Sequence, residues 1–165
     1  MTKTKKYIAL KKRVFVTSVG YNGNLGGLSG GDSKCQARAN AAGLDGTWTA
    51  WLSSSSVHAK DRIPDQAYYL VDKTTKVCNN KADLIDGSIQ TTISINEFGA
   101  SQGNVFIWTG TNANGTAHTE TCSSWTSAGS SVYGRYGWNI YTDGLWTNRG
   151  KGACSSAYKL YCFEQ

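Results

Sequence analysis

The apolar positions of this chain fall into short alternating runs separated by glycine and polar stretches. The clearest is AYKLYCF near the C-terminal end. Ala157, Lys159, Tyr161 and Phe163 point one way and Tyr158, Leu160 and Cys162 the other, which predicts a strand with Cys162 on one face. Cys154 falls in the turn-rich run before it. Further strands are predicted over Arg13–Ser18 (RVFVTS), Thr47–Ser53 (TWTAWLS), Tyr68–Asp72, Ile89–Ile95 and Val105–Thr111 (VFIWTGT). One helix is predicted over Asp32–Ala42. Ser29 or Asp32 can cap it, Gly43 can end it, and Cys35, Ala39 and Ala42 share a face at i, i+4 and i+7. A helical turn over Val57–Ile63 and a short helix over Asn80–Asp86 complete the regular elements. Two stretches have no period. Gly20–Gly31 reads as a glycine loop, and Tyr133–Trp146, aromatic and dotted with glycines, reads as a long binding loop carried by a scaffold strand.

At 165 residues the chain makes one domain. We divide it into a basic tail, 1–12, and a globular domain, 13–165. The net charge of +6 changes the picture little. Lys3, Lys5, Lys6, Lys11, Lys12 and Arg13 supply all of it, and the 11 remaining basic residues match the 11 acidic ones. Such a tail can touch nucleic acid or anionic lipid. We read it as solvated, and expect no nucleic-acid partner. No apolar run is long enough to span a membrane. The start lacks the apolar core of a signal peptide, so an intracellular, virion-associated or partner-displayed location is expected.

The candidate chemistry is thin. The glycine loop matches neither the dinucleotide fingerprint nor the phosphate-loop pattern with its terminal Lys-Ser/Thr. Asn114-Gly115-Thr116 is a formal glycosylation sequon inside the Asn112–Gly115 turn. Only His58 and His118 are natural bases. There is no G-x-S-x-G elbow, and Glu97 and Glu120 are too isolated to argue a glycosidase pair. An enzyme is not expected, nor a cofactor. The five cysteines, Cys35, Cys78, Cys122, Cys154 and Cys162, include no CxxC, which speaks for disulfides over a structural zinc site. One must be left over.

Taken together, LGGLSGGDSKCQARANAAGLDGTWTAWLSS (Leu25–Ser54), VFIWTGTNANG (Val105–Gly115), Cys122 with Trp125, and CSSAYKLYCFE (Cys154–Glu164) resemble endostatin-type domains, which have a C-type lectin fold. Bacterial surface proteins with endostatin-like domains look similar. The likeness is specific at Cys35–Ser53 and Cys154–Glu164 and weak between Val57 and Gly99. It implies an α+β fold of small helices packed on twisted antiparallel sheets with a long C-terminal binding loop. It also implies nested disulfides, Cys35–Cys162 and Cys122–Cys154, leaving Cys78 free and buried. The chain departs from sugar-binding C-type lectins. Their calcium is held by carboxylates and amides of two triplets, and here the matching triplet is Trp146-Thr147-Asn148, without an acid. A calcium site takes six to eight oxygens, so calcium-independent binding is expected, with no metal. The histidine-rich start that gives endostatin its zinc is missing too.

The same fold is used by the variable proteins of diversity-generating retroelements, whose C-terminal segment is rewritten at template adenines. Asn codons altered in this way never yield Lys, Glu, Gln, Met or Trp. Cys122–Gly150 holds none of the first four, although the chain carries 21 of them. Trp138 and Trp146 would then be fixed scaffold positions. The expected function is a ligand-binding protein with a hypervariable surface over about 122–150, of phage or viral kind, with a protein or cell-surface ligand. The alternative is a fixed-sequence surface adhesin or endostatin-like interaction domain. A monomer is expected. The candidate surface is Tyr133, Arg135, Tyr136, Trp138, Asn139, Tyr141, Asp143, Leu145 and Asn148. Tyr, Trp and Arg among Ser, Gly and Asn is paratope-like: the aromatics give contact area at low rotamer cost, and the small polar residues adapt their hydrogen bonds. Trp138 and Trp146 lean toward the core, where Trp48, Trp51, Trp108 and Trp125 are also placed.

Overall fold

A computed structural model describes residues 11–165, so the first ten residues of the basic tail lie outside the described residues. The order is β1 (Lys12–Val16), α1 (Gly27–Ala41), β2 (Trp48–Ala50), a 3₁₀ turn (Ala59–Arg62), β3 (Tyr68–Tyr69), β4 (Lys76–Cys78), α2 (Lys81–Leu84), β5 (Phe106–Trp108), β6 (Tyr133–Trp138), a second 3₁₀ turn (Gly144–Trp146), β7 (Gly150–Ala153) and β8 (Tyr161–Glu164). The fold is α+β, with two sheets and few, small helices.

The alternation of the C-terminal run organises the molecule. β8 is an inner strand of a five-stranded sheet ordered β2-β8-β1-β3-β4. Tyr161 and Phe163 enter one apolar core with Val14, Val16, Trp51, Tyr68 and Ile107. Leu160 and Cys162 enter a second core with Phe15, Trp48, Leu52, Trp108 and Trp125. β1 splits in the same way, so this sheet is buried on both faces. β8 runs antiparallel to β1 and β2. The sheet is nevertheless mixed rather than antiparallel, because β1 and β3 pair in parallel. The chain leaves β1, crosses through α1 and β2, and returns in the same direction, as a parallel pair requires. A three-stranded antiparallel sheet, β5-β6-β7, stands beside it. Lys159, just ahead of β8, joins the two by exchanging backbone hydrogen bonds with Phe106 and Trp108.

Both implied disulfides are present, Cys35–Cys162 and Cys122–Cys154, and Cys78 is free and buried. Burial pushes the Cys78 thiol up to about 11. The first disulfide pins α1 to β8. Helix α1 starts earlier than expected and without a side-chain cap: Gly26 is the capping residue, in the left-handed region at φ 85°. Asp32 has a different task. Its carboxylate accepts the Ala50 N–H and pairs with Arg62 at 2.6 Å, tying the helix to β2. Gly43 follows the helix end at φ 70°, as expected. Ala42 stands at the C-cap, outside the buried row of Gly31, Cys35 and Ala39.

The Ile89–Ile95 run is not a strand. Ile89 and Ile93 are buried, but the backbone bonds of the segment go to four separate partners, the Ser94 carbonyl accepting from Gln102. Ile89 N–H donates to Thr142, Gln90 N–H to Val77, and the Ile95 carbonyl accepts from Val16. No single neighbour offers a ladder. The Tyr133–Trp146 run differs from expectation in the other sense: its first six residues are β6, the middle strand of the smaller sheet. Glycines at 134 and 137 interrupt the alternation that would have revealed it.

Candidate functional site

The smaller sheet is built around what its glycines admit. A side chain at Gly137 would put Cβ 1.9 Å from the Trp146 carbonyl oxygen, and one at Gly134 would meet Cys122 Sγ at 2.6 Å and the Trp108 ring at 2.9 Å. Backbone and core atoms thus press directly on β6. Trp146 and Thr147 are buried beside it. Thr147 Oγ1 accepts the Trp51 Nε1–H and donates to the Thr111 carbonyl. The triplet Trp146-Thr147-Asn148 therefore serves as scaffold at its first two positions.

The strand's period of two divides the nine candidate residues. Tyr133 and Arg135 lie on one face, opposite Ala153 and Lys151 of β7. Tyr136 and Trp138 lie on the other. Tyr136 packs on Phe106 at 4.6 Å and on Tyr158, and Trp138 packs on Phe106 and Tyr141. Beyond the strand, Asp143 is exposed and its carboxylate caps the 3₁₀ turn by accepting the Leu145 N–H. Leu145 and Asn148 are half-buried, and Asn148 reaches toward Asn112 at 3.5 Å. Asn139 does not belong to a surface. It is 0 % exposed, its amide donates to the Gly103 carbonyl at 2.7 Å, and its oxygen accepts the Val105 N–H at 2.9 Å. These two bonds pair both polar atoms of the buried amide and fix the entry to β5. One contiguous surface of nine residues is thus replaced by two faces and a tip.

The face of Tyr133 and Arg135 is the more exposed and the more polar, and it gathers residues that sequence reasoning missed. Tyr133 is 44 % exposed, with Lys151 Nζ 4.8 Å from its ring centre. Arg135 approaches Glu120 at 2.7 Å, and Lys151 lies 3.8 Å from the other Glu120 oxygen. The short Arg135–Glu120 contact is an ion pair off the line of a hydrogen bond, since Arg135 Nε and Glu120 Oε2 have no hydrogen-bond partner among the described residues. His118 lies 3.7 Å from that carboxylate, yet its Nδ1 accepts the Glu120 N–H. Burial, then the neighbouring Arg135 charge, hold its pKa below the usual value, with Glu120 opposing. The imidazole is therefore neutral here and the contact is not an ion pair. Glu120 and Lys151 lie outside the 122–150 segment, so no reading confined to that segment could have found them.

Next to this face the backbone does something costly. Cys122, Ser123, Ser124 and Trp125 have φ of 50°, 54°, 55° and 65°. Four successive left-handed residues, none a glycine, cost about 1–2 kcal/mol each. The turn is held from both ends. Cys122 is crosslinked to Cys154, Trp125 is fully buried with its Nε1–H donated to the Ser53 carbonyl, and Thr121 Oγ1 accepts the Ser124 N–H. This turn, the 119–121 stretch and residues 131–133 border an open cleft of about 490 Å³.

The fold and the site define a disulfide-braced α+β domain that presents polar and aromatic side chains from a glycine-seated small sheet. Residues 61–142, just under half of the chain, match a family described as a protein of unknown function (DUF1554). The match runs from the first 3₁₀ turn through β6, across the region where the likeness to endostatin-type domains is weakest. No curated protein matches the chain. No helix among the described residues is long and apolar enough to cross a membrane.

Proposed function

We propose that this is a calcium-independent ligand-binding protein of the C-type lectin kind, whose binding surface is carried by the 122–150 segment and set by its exposed side chains. One observation carries the reading: the backbone of the segment is fixed by groups other than the exposed ones. Gly134, Gly137, Asn139, Trp146 and the Cys122–Cys154 crosslink set its path, whereas Tyr133, Arg135 and Tyr141 stand outside that frame and Asp143 adds only the cap of the second 3₁₀ turn. Side chains of this second set can change while the frame stays, as a diversified receptor surface needs. A binding role is also favoured over catalysis by His118, whose Nδ1 is taken up by a backbone N–H and which has no hydroxyl hydrogen-bonded to it among the described residues.

The test is tolerance. In a library randomised at Tyr133, Arg135, Tyr141 and Asp143 together, most members should keep the parent melting temperature within a few degrees. Broad unfolding would sink the reading. A second reading, a fixed-sequence adhesin, is favoured by the family match, which runs into the segment as far as residue 142. The DNA downstream of the gene decides between them. A near-identical copy of the segment differing at adenines, beside a reverse transcriptase gene, marks diversification; its absence from the complete source genome leaves the adhesin.

A further inference from the structure

Past the end of α1, an uncovered apolar knob stands at the rim of an apolar groove. The knob is Phe98, 57 % exposed, the most open large apolar side chain among the described residues. The turn that carries it is tied on every side. Asn96 Oδ1 accepts the Phe98 and Ala100 N–H groups at 2.9 and 3.0 Å, and the Gly99 N–H donates to the Asn96 carbonyl. Glu97, only 2 % exposed, accepts the Ser18 N–H and the Arg38 Nε–H. The groove beside it holds about 420 Å³ and is walled by Leu44, Val71 and Ile95, each half-buried. A cavity of ~150 Å³ is enough to take up a benzene ring. The charges at the rim are of opposite sign. Arg38 lies over the Phe98 ring, 5.6 Å from its centre, and its Nη1 makes no hydrogen bond among the described residues. Asp72 is exposed next to Val71. The Thr75 hydroxyl, then the Thr75 and Thr74 N–H groups, hold its pKa down at about 2, so it is ionised.

We propose that two copies of this chain pair across this groove about a two-fold axis, the Phe98 ring of each entering the groove of the other. A small apolar ligand would fill the hole and leave the knob in water. A partner that brings a knob of its own and offers a hole covers both. Knob and hole share one face here, so the face is complementary to itself, as an isologous interface demands. The charges agree. Arg38 travels with Phe98 and arrives at a rim that bears Asp72, and the two-fold repeats the contact in the opposite sense. An aromatic side chain seated in an apolar pocket and ringed by polar groups is how binding energy concentrates at interfaces. One ring and one narrow groove per copy make a small interface, and so a weak, reversible dimer. Such a dimer departs from the monomer expected from the sequence. None of these residues belongs to the 122–150 segment, so a paired protein carries two copies of the surface proposed above and, on that reading, gains bivalence.

Sedimentation equilibrium of the full chain, from about 5 μM to about 1 mM, tests the pairing. A reversible monomer–dimer equilibrium is expected, with a dissociation constant on the order of 100 μM. Phe98→Ala should weaken it by about tenfold or more and, because the ring is exposed, leave the melting temperature unchanged. Asp72→Asn keeps the oxygen that the Thr74 and Thr75 N–H groups use but removes the charge. It should weaken pairing by about threefold and flatten its dependence on salt. Amide NMR at the two ends of the concentration range reads the location: residues 42–44, 71–72 and 95–99 should shift between them. A protein still monomeric at about 1 mM overturns the inference. So does a dimer that Phe98→Ala leaves intact, an assembly that grows beyond two copies, or shifts that fall elsewhere. The randomised library reads other residues, so the two ideas fail separately.

Discussion

The two sheets reach order by opposite means. In the five-stranded sheet, side chains on both faces do the filling: Val14, Phe15, Val16, Tyr161, Cys162 and Phe163 are buried to the last. In the three-stranded sheet, β6 has glycine where the rest of the protein leans on it, and the Trp146 carbonyl and the Cys122 sulfur arrive from elsewhere. The first sheet depends on what it carries. The second depends on what is brought to it, which leaves its most exposed side chain, Tyr133, with few structural duties. That division is what a surface used for recognition requires.

The contrast can be broken at several points. The largest effect is expected from the crosslink of the larger sheet. Replacing Cys35 and Cys162 by alanine opens a loop with a sequence separation of 127 and should cost about 5 kcal/mol in denaturant unfolding, against about 4 kcal/mol for the Cys122–Cys154 pair. An inner pair that costs more would show the left-handed turn to be the weaker point of the fold. Next is Gly137→Ala, which forces Cβ against the Trp146 carbonyl and should cost about 3 kcal/mol. A near-neutral result would mean that the small sheet yields and is not seated from outside. In the opposite direction, Ser123→Gly relieves a left-handed residue and should stabilise by about 1 kcal/mol. The smallest effect is on pH. Because His118 has a lowered pKa in the folded state, the unfolded chain binds the extra proton more readily. Its contribution is therefore complete above the unfolded value of about 6.5 and is lost as pH falls through the lower, folded value. Amide exchange over 118–120 should quicken in that window and stay level in His118→Gln.

The larger sheet was legible because periodicity writes itself into side chains. The alternation of Tyr158 to Phe163 gave β8 and its two faces, and the Trp48–Trp51 run lay in the core as expected. The cysteine pairing followed from resemblance rather than from spacing. The smaller sheet was hidden for the reason that makes it useful: a strand with a glycine on each face, Gly134 and Gly137, shows no apolar alternation. Asn139 was misplaced because an amide suits a ligand and a buried backbone gap equally well, and only the packing tells which. The capping role expected of Ser29 or Asp32 was overridden by tertiary structure, with Gly26 turning the chain and Asp32 drawn to Arg62. Glu120 and Lys151 join the surface through strand pairing over distances that no local window covers.

The place of β8 has a consequence for how the protein is made. The strand that separates the two cores is encoded last among those described, and its partner β1 is encoded first, with Arg13 bonded to Glu164 across 151 positions. A nascent chain leaving the ribosome holds β1 and β2 with their shared neighbour still untranslated, and neither core can close. Folding of this domain therefore waits for nearly its whole length to emerge. Until then its tryptophan-rich strands travel uncovered, as long-range strand pairing entails.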